Sequence, residues 1–212
     1  CLIFTSGTTG KPKGVMISHK NVLWTIESLF GQMIPAAKFP RIVSYLPMAH
    51  IAARAGDHYQ AIYRIGQIFP VPVLEDMRDA LPTIKPSVFL AVPRVWEKFK
   101  AGLEARIEEN PKKDLIAKAI QNGLERVDYE QKGESVPFMV SLKDKIFAKL
   151  VFSKFKEGLG IVDTEYFVTA AAPMNKDVHR WFHAIGIDVT EIYGMTEDCL
   201  LYTSDAADER SW

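Results

Sequence analysis

Two hydrophobic periods alternate along the chain. Short, nearly continuous apolar runs are typical of buried strands, and the stretches between them, where apolar residues recur every three or four positions, are typical of amphipathic helices. Because strands that alternate with helices favour parallel pairing, the pattern predicts an α/β fold with a largely parallel sheet flanked by helices. The predicted strands are 1–5, 15–17, 41–46, 67–73, 87–92, 166–170 and 187–192.

Start signals support the predicted helices. Ser18 is a good N-cap for the helix that follows it. Pro93 suits the first turn of a helix that runs to about Glu109, because the N–H that proline lacks has no partner there in any case. The remaining helices are predicted over 52–64, from about residue 75, over 176–184 and, in two or three Lys- and Glu-rich stretches, within 111–160.

Composition narrows the class of protein. The 26 Lys and Arg residues balance the 26 Asp and Glu residues, so there is no net positive charge to attract nucleic acid. With only two cysteines, Cys1 and Cys199, neither a disulfide framework nor a cysteine-based zinc site can be built. Few cysteines and no signal peptide predict a cytoplasmic location, and no apolar run approaches the ~20 residues of a membrane-spanning helix.

The densest cluster of candidate functional residues directly follows the first predicted strand, in the segment Thr5-Ser6-Gly7-Thr8-Thr9-Gly10-Lys11-Pro12-Lys13-Gly14. Glycines let backbone N–H groups converge on one point, hydroxyls add donors and a lysine adds positive charge, so the segment suits a polyphosphate. The alternative is a flexible hairpin loop. It is not a Walker A loop, because Pro12 stands where that motif needs Ser or Thr.

The same segment resembles, almost letter for letter, the signature of the adenylate-forming (AMP-binding) superfamily. That superfamily includes acyl-CoA synthetases, firefly luciferase and the adenylation domains of peptide synthetases. The resemblance implies that the loop wraps the β- and γ-phosphates of ATP and that Lys13 is the catalytic lysine, whereas Lys11 has no assigned role. The implied nucleotide contacts are Thr5, Ser6, Gly7, Thr8, Thr9, Gly10 and Lys13.

A second segment, Tyr193-Gly194-Met195-Thr196-Glu197, follows the last predicted strand, at the sheet edge where open α/β folds bind ligands. It resembles the second signature of the superfamily. The resemblance implies that Tyr193 packs on the adenine, Thr196 reaches the α-phosphate and Glu197 holds Mg²⁺, with the last two residues catalytic. A metal that bridges phosphate oxygens reduces the repulsion between two anions. The alternative for Glu197 is a solvated surface acid.

Two weaker segments also resemble the superfamily. Ala171 and Ala172, within residues 169–173, match a stretch of small residues that lines the adenine pocket, although small residues at a strand end also suit tight packing. His50, within residues 47–50, matches a position that borders the acyl pocket. The resemblance implies a role for His50 in the substrate pocket. Because a lone histidine is usually structural or exposed, no role as a general acid or base is expected.

Residues 92–99 resemble the long-chain fatty-acyl-CoA synthetases, and within them the bubblegum-type and related bacterial enzymes. The resemblance implies that residues 1–197 are part of the large N-terminal domain of such an enzyme, which uses ATP, Mg²⁺ and coenzyme A to convert a long-chain fatty acid into acyl-AMP and then acyl-CoA. Two alternatives stay open: an acyl-AMP ligase that feeds a carrier protein, and a non-catalytic nucleotide-binding module.

Residues 141–158 form a basic amphipathic pattern, with Leu142, Ile146, Leu150 and Phe155 at helical spacing among lysines. Such a helix can rest on a membrane surface, but the pattern is more typical of a surface helix whose apolar stripe packs on the core. Residues 198–212 match no segment of the superfamily that we recognise. We therefore expect a truncated fragment that is inactive alone, with a poorly ordered, artefactual tail and without the small C-terminal domain of the superfamily.

Overall fold

The computed structural model describes residues 1–5, 11–33, 39–196 and 200–204. Its first element is a two-stranded antiparallel hairpin of β1 (Leu2–Thr5) and β2 (Lys13–Met16). The two predicted strands are therefore confirmed and pair with each other, although β2 starts at Lys13 and not at Val15. Ser18 caps the following helix α1 (His19–Ile26), with its side chain and that of Asn21 bonded reciprocally to the backbone.

A six-stranded sheet forms the body of the described chain, in the order β4-β3-β5-β6-β7-β8. The first five strands in that order are parallel and β8 pairs antiparallel with β7. The α/β fold with a largely parallel sheet is thus confirmed. The strands are β3 (Arg41–Ser44), β4 (Gln67–Pro70), β5 (Val88–Ala91), β6 (Tyr166–Ala170), β7 (Val189–Met195) and β8 (Leu200–Ser204).

Helices cover both faces of this sheet, and some turns have π-helical or 3₁₀ geometry. The α-helices after α1 are α2 (Ile51–Ala53), α3 (Gln60–Arg64), α4 (Met77–Ile84), α5 (Pro93–Glu108), α6 (Lys113–Lys132), α7 (Phe138–Phe147), α8 (Ser153–Leu159) and α9 (Lys176–Ala184). Three π-helical segments, Glu27–Met33, Arg54–Tyr59 and Ala148–Phe152, directly follow α1, α2 and α7. A 3₁₀ turn (Leu74–Asp76) precedes α4. None of the described helices is long and apolar enough to cross a bilayer.

The two faces of the sheet carry two separate hydrophobic clusters. Side chains of neighbouring strand positions point to opposite faces, so Phe89 and Phe167 pack into the larger cluster with α4 to α9, whereas Val88 and Val168 pack against α1 and its π-helical continuation. Trp96 is fully buried in the larger cluster, edge-on to Phe89, Phe167 and Phe182. The long-chain signature at 92–99 therefore begins α5 and contributes core packing.

The apolar stripe of residues 141–158 does not pack on the core as a whole. Leu142, Ile146 and Leu150 are 41%, 48% and 62% exposed, while Val151 and Phe152 are buried against the larger cluster. The interpretation as an ordinary surface helix with its stripe on the core is wrong for the three exposed residues. The reason is that another face is turned inward: Val140 of α7 and Val151 and Phe152 of the π segment are buried, whereas positions 142, 146 and 150, four residues apart, share the outward face.

The structure also differs from two expectations near the carboxyl end. Strand β7 extends to Met195, so Tyr193, Gly194 and Met195 lie within the strand and not after it. Residues Leu200–Ser204 form β8, which pairs with β7 in a register that sets Tyr202 opposite Tyr193. The expectation of a poorly ordered tail is thus wrong for these five residues, because the open edge of β7 offers a backbone ladder to pair with.

Candidate active site

The hairpin holds the two ends of the predicted phosphate loop together. Thr5 and Lys13 are direct partners in the antiparallel ladder of β1 and β2, and the Lys13 side chain is exposed. An ammonium in this position is accessible from solvent. The other residues predicted for the loop, Ser6, Gly7, Thr8, Thr9 and Gly10, lie outside the described residues.

The predicted adenine-pocket residues lie side by side at the carboxyl edge of the sheet. Ala170 and Ile192 are register partners of β6 and β7, so Ala171 and Tyr193, each one residue further on, meet at the same edge. Neighbouring strands are about 4.8 Å apart. The Tyr193 side chain is 59% exposed, and Ala171 and Ala172 are exposed. Positions 171 and 172 therefore carry no side chain larger than a methyl group beside Tyr193.

The backbone at this edge is in an unusual conformation. Ala171 has φ = 77°, in the left-handed region that residues with a Cβ rarely enter. Strain of this kind costs about 1–3 kcal/mol and is concentrated at functional sites. Its small side chain makes alanine one of the less costly residues for the sharp turn from β6 toward α9. Nothing in the sequence indicates this strain, because the run of small residues is the only feature visible there.

Thr196 and Glu197 complete the second signature. Thr196 forms the turn directly after β7 and is partly buried. Glu197, the predicted Mg²⁺ ligand, lies outside the described residues. In the part of the chain that the structure describes, no group of three His, Cys, Asp or Glu side chains could hold a metal ion.

His50 has a structural partner that the sequence did not reveal. It is the N-cap of α2, where its Nδ1 accepts a hydrogen bond of 3.1 Å from the backbone N–H of Ala52. An accepting Nδ1 in a neutral ring leaves the proton on Nε2. The ring is exposed, two residues before Ala52, which lines the cleft described next.

An apolar cleft that is partly open to solvent lies on one face of the sheet. It lies between the sheet and the two π-helical stretches that cover this face. Its lining residues are Leu29, Phe30, Ala52, Gly56, Gln60, Val88, Leu90, Val168, Ala170 and Ile192. Ala170 and Ile192 line the cleft near the carboxyl ends of β6 and β7, next in sequence to Ala171 and Tyr193. Because neighbouring positions of a strand face opposite sides, the Tyr193 side chain lies on the other face of the sheet from Ile192.

Sequence reasoning missed this cleft and the buried polar groups beside it. Asp57 is 2% exposed and its carboxyl is hydrogen-bonded to the buried Ser44. Burial raises the pKa of Asp57 from 3.8 to about 7. The signal that could have revealed these residues is the repeat of small or polar residues at 52, 56 and 60, four positions apart on one helix face.

Known proteins resemble this chain over nearly its whole length. The AMP-binding enzyme family matches residues 1–212. The chain is 37% identical to the fatty-acid–CoA ligase fadD11 of Mycobacterium tuberculosis (99% of this chain, 37% of the relative) and 35% identical to the long-chain-fatty-acid–CoA ligase ACSBG2 of Rattus norvegicus (92% and 30%). It thus spans about a third of the length of these relatives.

A solved structure gives the same fold. The inhibitor-bound N-terminal domain of FACL13 from Mycobacterium tuberculosis superposes with a TM-score of 0.62 at 21% identity, over 99% of this chain and 40% of that one. At this identity the likeness concerns the fold alone. Together with the match over the full chain and the relatives above 30% identity, it leads to one conclusion. The chain belongs to the AMP-binding enzyme family, the adenylate-forming enzymes.

Proposed function

We propose that this chain is the central part of an ATP-dependent long-chain fatty-acid–CoA ligase. In the first step a carboxylate oxygen of the fatty acid attacks the α-phosphorus of ATP, and pyrophosphate leaves. In the second step the thiolate of coenzyme A attacks the acyl carbon, and AMP leaves. The intermediate is needed because a carboxylate is a poor electrophile and AMP is a far better leaving group than oxide.

One observation carries the proposal: the apolar cleft and the candidate adenine pocket share two neighbouring strands, β6 and β7, near their carboxyl ends. Ala170 and Ile192 line the cleft, and the next residues in each strand, Ala171 and Tyr193, stand at the carboxyl edge. A fatty acid whose tail fills the cleft would present its carboxylate at that edge, where an α-phosphate reached by Thr196 would meet it. Proximity of this kind is a large part of catalysis in a two-substrate step.

The hairpin supplies the pyrophosphate end of the nucleotide site. The helix that follows β2 runs through α1 to Met33, and β3 then starts at Arg41 on the amino side of the sheet. A Cβ at Gly31, near the end of this helical run, would lie 3.9 Å from the hydroxyl of Tyr63, and α3 leads from there to the amino end of β4. The run therefore begins nearer the carboxyl side, which favours a hairpin close to the adenine-pocket edge. Lys13 would neutralise charge on the departing pyrophosphate, without any proton transfer of its own.

Mg²⁺ is proposed to bind between the phosphates and Glu197. Mg²⁺ uses one or two protein carboxylates together with substrate phosphates, so a single acidic residue beside the nucleotide fits its chemistry. Bound there, the ion would neutralise phosphate charge that otherwise repels the incoming carboxylate. The protein residues would then hold the nucleotide and the acyl chain in line.

ATP–pyrophosphate exchange with the complete protein tests the proposal. We expect exchange that depends on a long-chain fatty acid, and formation of a thioester when free coenzyme A is added. Exchange without a thioester on free coenzyme A would favour an acyl-AMP ligase that serves a carrier protein. Binding of MgATP by calorimetry without any exchange would favour the non-catalytic nucleotide-binding module.

We further propose a cytoplasmic protein that contacts the membrane surface through the exposed face of α7 and its π segment. This face carries Leu142, Ile146 and Leu150, and Lys143, Lys145 and Lys149 are exposed beside them. Exposed apolar side chains flanked by ammonium groups are complementary to an anionic lipid surface. Co-sedimentation with phosphatidylserine vesicles should fall when the three lysines are changed to Glu, and binding unaffected by that change would contradict the contact.

A further inference from the structure

Among the described residues that line the apolar cleft, Gln60 alone has polar side-chain atoms. The others are Leu, Phe, Ala, Gly, Val and Ile, whereas the side chain of Gln60 ends in a primary amide. The residue is 1% exposed, and within the described part of the chain neither its Nε2 nor its Oε1 has a hydrogen-bond partner. Buried amides are almost always paired, so an orphaned one at the wall of a cleft indicates a missing partner.

The topology places Gln60 at the end of the cleft that is remote from the adenine-pocket edge. The helical run from Ile51 to Arg64 connects the carboxyl end of β3 to the amino end of β4, so it runs antiparallel to the strands. Ala52 therefore lies near the carboxyl edge, and Gln60 lies about two helical turns deeper. The partner that Gln60 lacks is thus a group deep in the cleft.

A saturated hydrocarbon chain in the cleft would leave the amide unpaired and cut off from water. A hydroxyl on the chain can accept a hydrogen bond from Nε2 and donate one to Oε1, and a carbonyl oxygen can accept from Nε2. The terminal amide torsion of glutamine is broad, so a small rotation turns either atom toward the cleft. Sites built to bond a polar group reject analogues that lack it, because their own polar groups are then stranded.

Resting on the proposed function, we propose that Gln60 selects acyl substrates that carry a hydroxyl or carbonyl oxygen far from the carboxylate. Gln60 is then a specificity residue that touches the acyl chain and takes no part in bond making. Its depth sets where along the chain the oxygen must lie, and carbon-lined walls on either side of it accept only methylene groups.

The test compares fatty acids of one chain length in the complete enzyme, one unsubstituted and the others with a hydroxyl moved carbon by carbon along the distal half. For the best hydroxy isomer we expect kcat/KM of ATP–pyrophosphate exchange to exceed that of the unsubstituted acid by roughly tenfold or more. Gln60→Leu and Gln60→Met should remove that preference and improve the unsubstituted acid. Gln121→Leu, an exposed position of α6, is the matched control and should keep the preference.

The outcomes separate the two proposals. Equal kcat/KM for all isomers, unchanged by Gln60→Leu, would overturn the role of Gln60 and leave the ligase proposal intact. If none of the fatty acids supported ATP–pyrophosphate exchange, that result would contradict both the ligase proposal and the role of Gln60. Folding is monitored by the melting temperature, which should be equal or higher in both Gln60 variants because an unpaired buried amide has been removed.

Discussion

Lys13 lies directly opposite Thr5 in the antiparallel ladder of β1 and β2. Opposed Cα atoms in such a ladder are about 4.5–5.5 Å apart, so the segment between them is closed at its base. The glycines and hydroxyls of that segment suit a polyphosphate, and the ladder positions the backbone of Lys13, whose side chain carries an ammonium, directly after it. This relationship underlies the proposal that the hairpin binds the phosphate end of ATP.

A side chain at position 56 should make the apolar cleft shallower. A Cβ at this position would lie 2.8 Å from Cδ2 of Leu90, and both residues line the cleft. Gly56→Ala should push the Leu90 side chain into the cleft, so kcat/KM for the longest fatty acids should fall by about tenfold relative to short ones. Gly102→Ala, where nothing lies within 4 Å of the new Cβ, is the control. An unchanged chain-length profile in Gly56→Ala would argue against an acyl chain in this cleft.

The buried carboxyl of Asp57 should make stability depend on pH. In the unfolded chain it ionises near 3.8, but desolvation raises its pKa to about 7 in the folded state. The folded state therefore binds one more proton across this window, and the contribution of Asp57 to stability is lost as pH rises through it. A shift of this size corresponds to roughly 4 kcal/mol.

Asp57→Asn isolates this effect. The difference in free energy of unfolding between the wild type and Asp57→Asn should shift in favour of Asn as pH rises from 3.8 to about 7, and level off above. Denaturant unfolding of both proteins at matched pH values gives the difference directly. A difference that is flat across the window would mean that Asp57 is ionised in the folded protein.

The contact between α6 and α9 should not tolerate a side chain at Gly123. A Cβ there would lie 2.1 Å from the backbone oxygen of Ala184, which cannot move without shifting α9. Gly123→Ala should lower the free energy of unfolding by about 1–3 kcal/mol. Gly102→Ala in α5 should instead raise it by about 0.5–1 kcal/mol, because alanine is the better helix former. Equal stability of the two variants would show that α6 and α9 can separate.

Most of the fold follows from local pattern. Short apolar runs bounded by proline or glycine predicted the parallel strands, and Ser18 and Pro93 predicted helix starts that the structure confirms. The predictions that were wrong concern features that depend on tertiary contacts. The exposure of Leu142, Ile146 and Leu150 depends on which face of the helix packs on the rest of the fold, and helical spacing alone does not specify that face. The extension of β7 to Met195 follows from its pairing with β8.

In the candidate site, too, some features could be predicted from local sequence and others depend on tertiary contacts. Tyr193 and Ala171 could be predicted to meet because the carboxyl ends of adjacent parallel strands share one edge. The apolar cleft and the orphaned amide of Gln60 could not be predicted, because they depend on which side chains face each other across the sheet and helix. The assignments of Lys13, Thr196, Glu197 and His50 stay predictions.

The central proposal is that Lys13 of the hairpin binds the phosphates of ATP. Fatty-acid-dependent ATP–pyrophosphate exchange in the complete protein, compared between the wild type, Lys13→Ala and Lys11→Ala, tests it most directly. We expect Lys13→Ala to lose about 10²–10³-fold in kcat, because a charge that stabilises the transition state is removed, while Lys11→Ala stays close to the wild type. Exchange at the wild-type rate in Lys13→Ala would contradict the account.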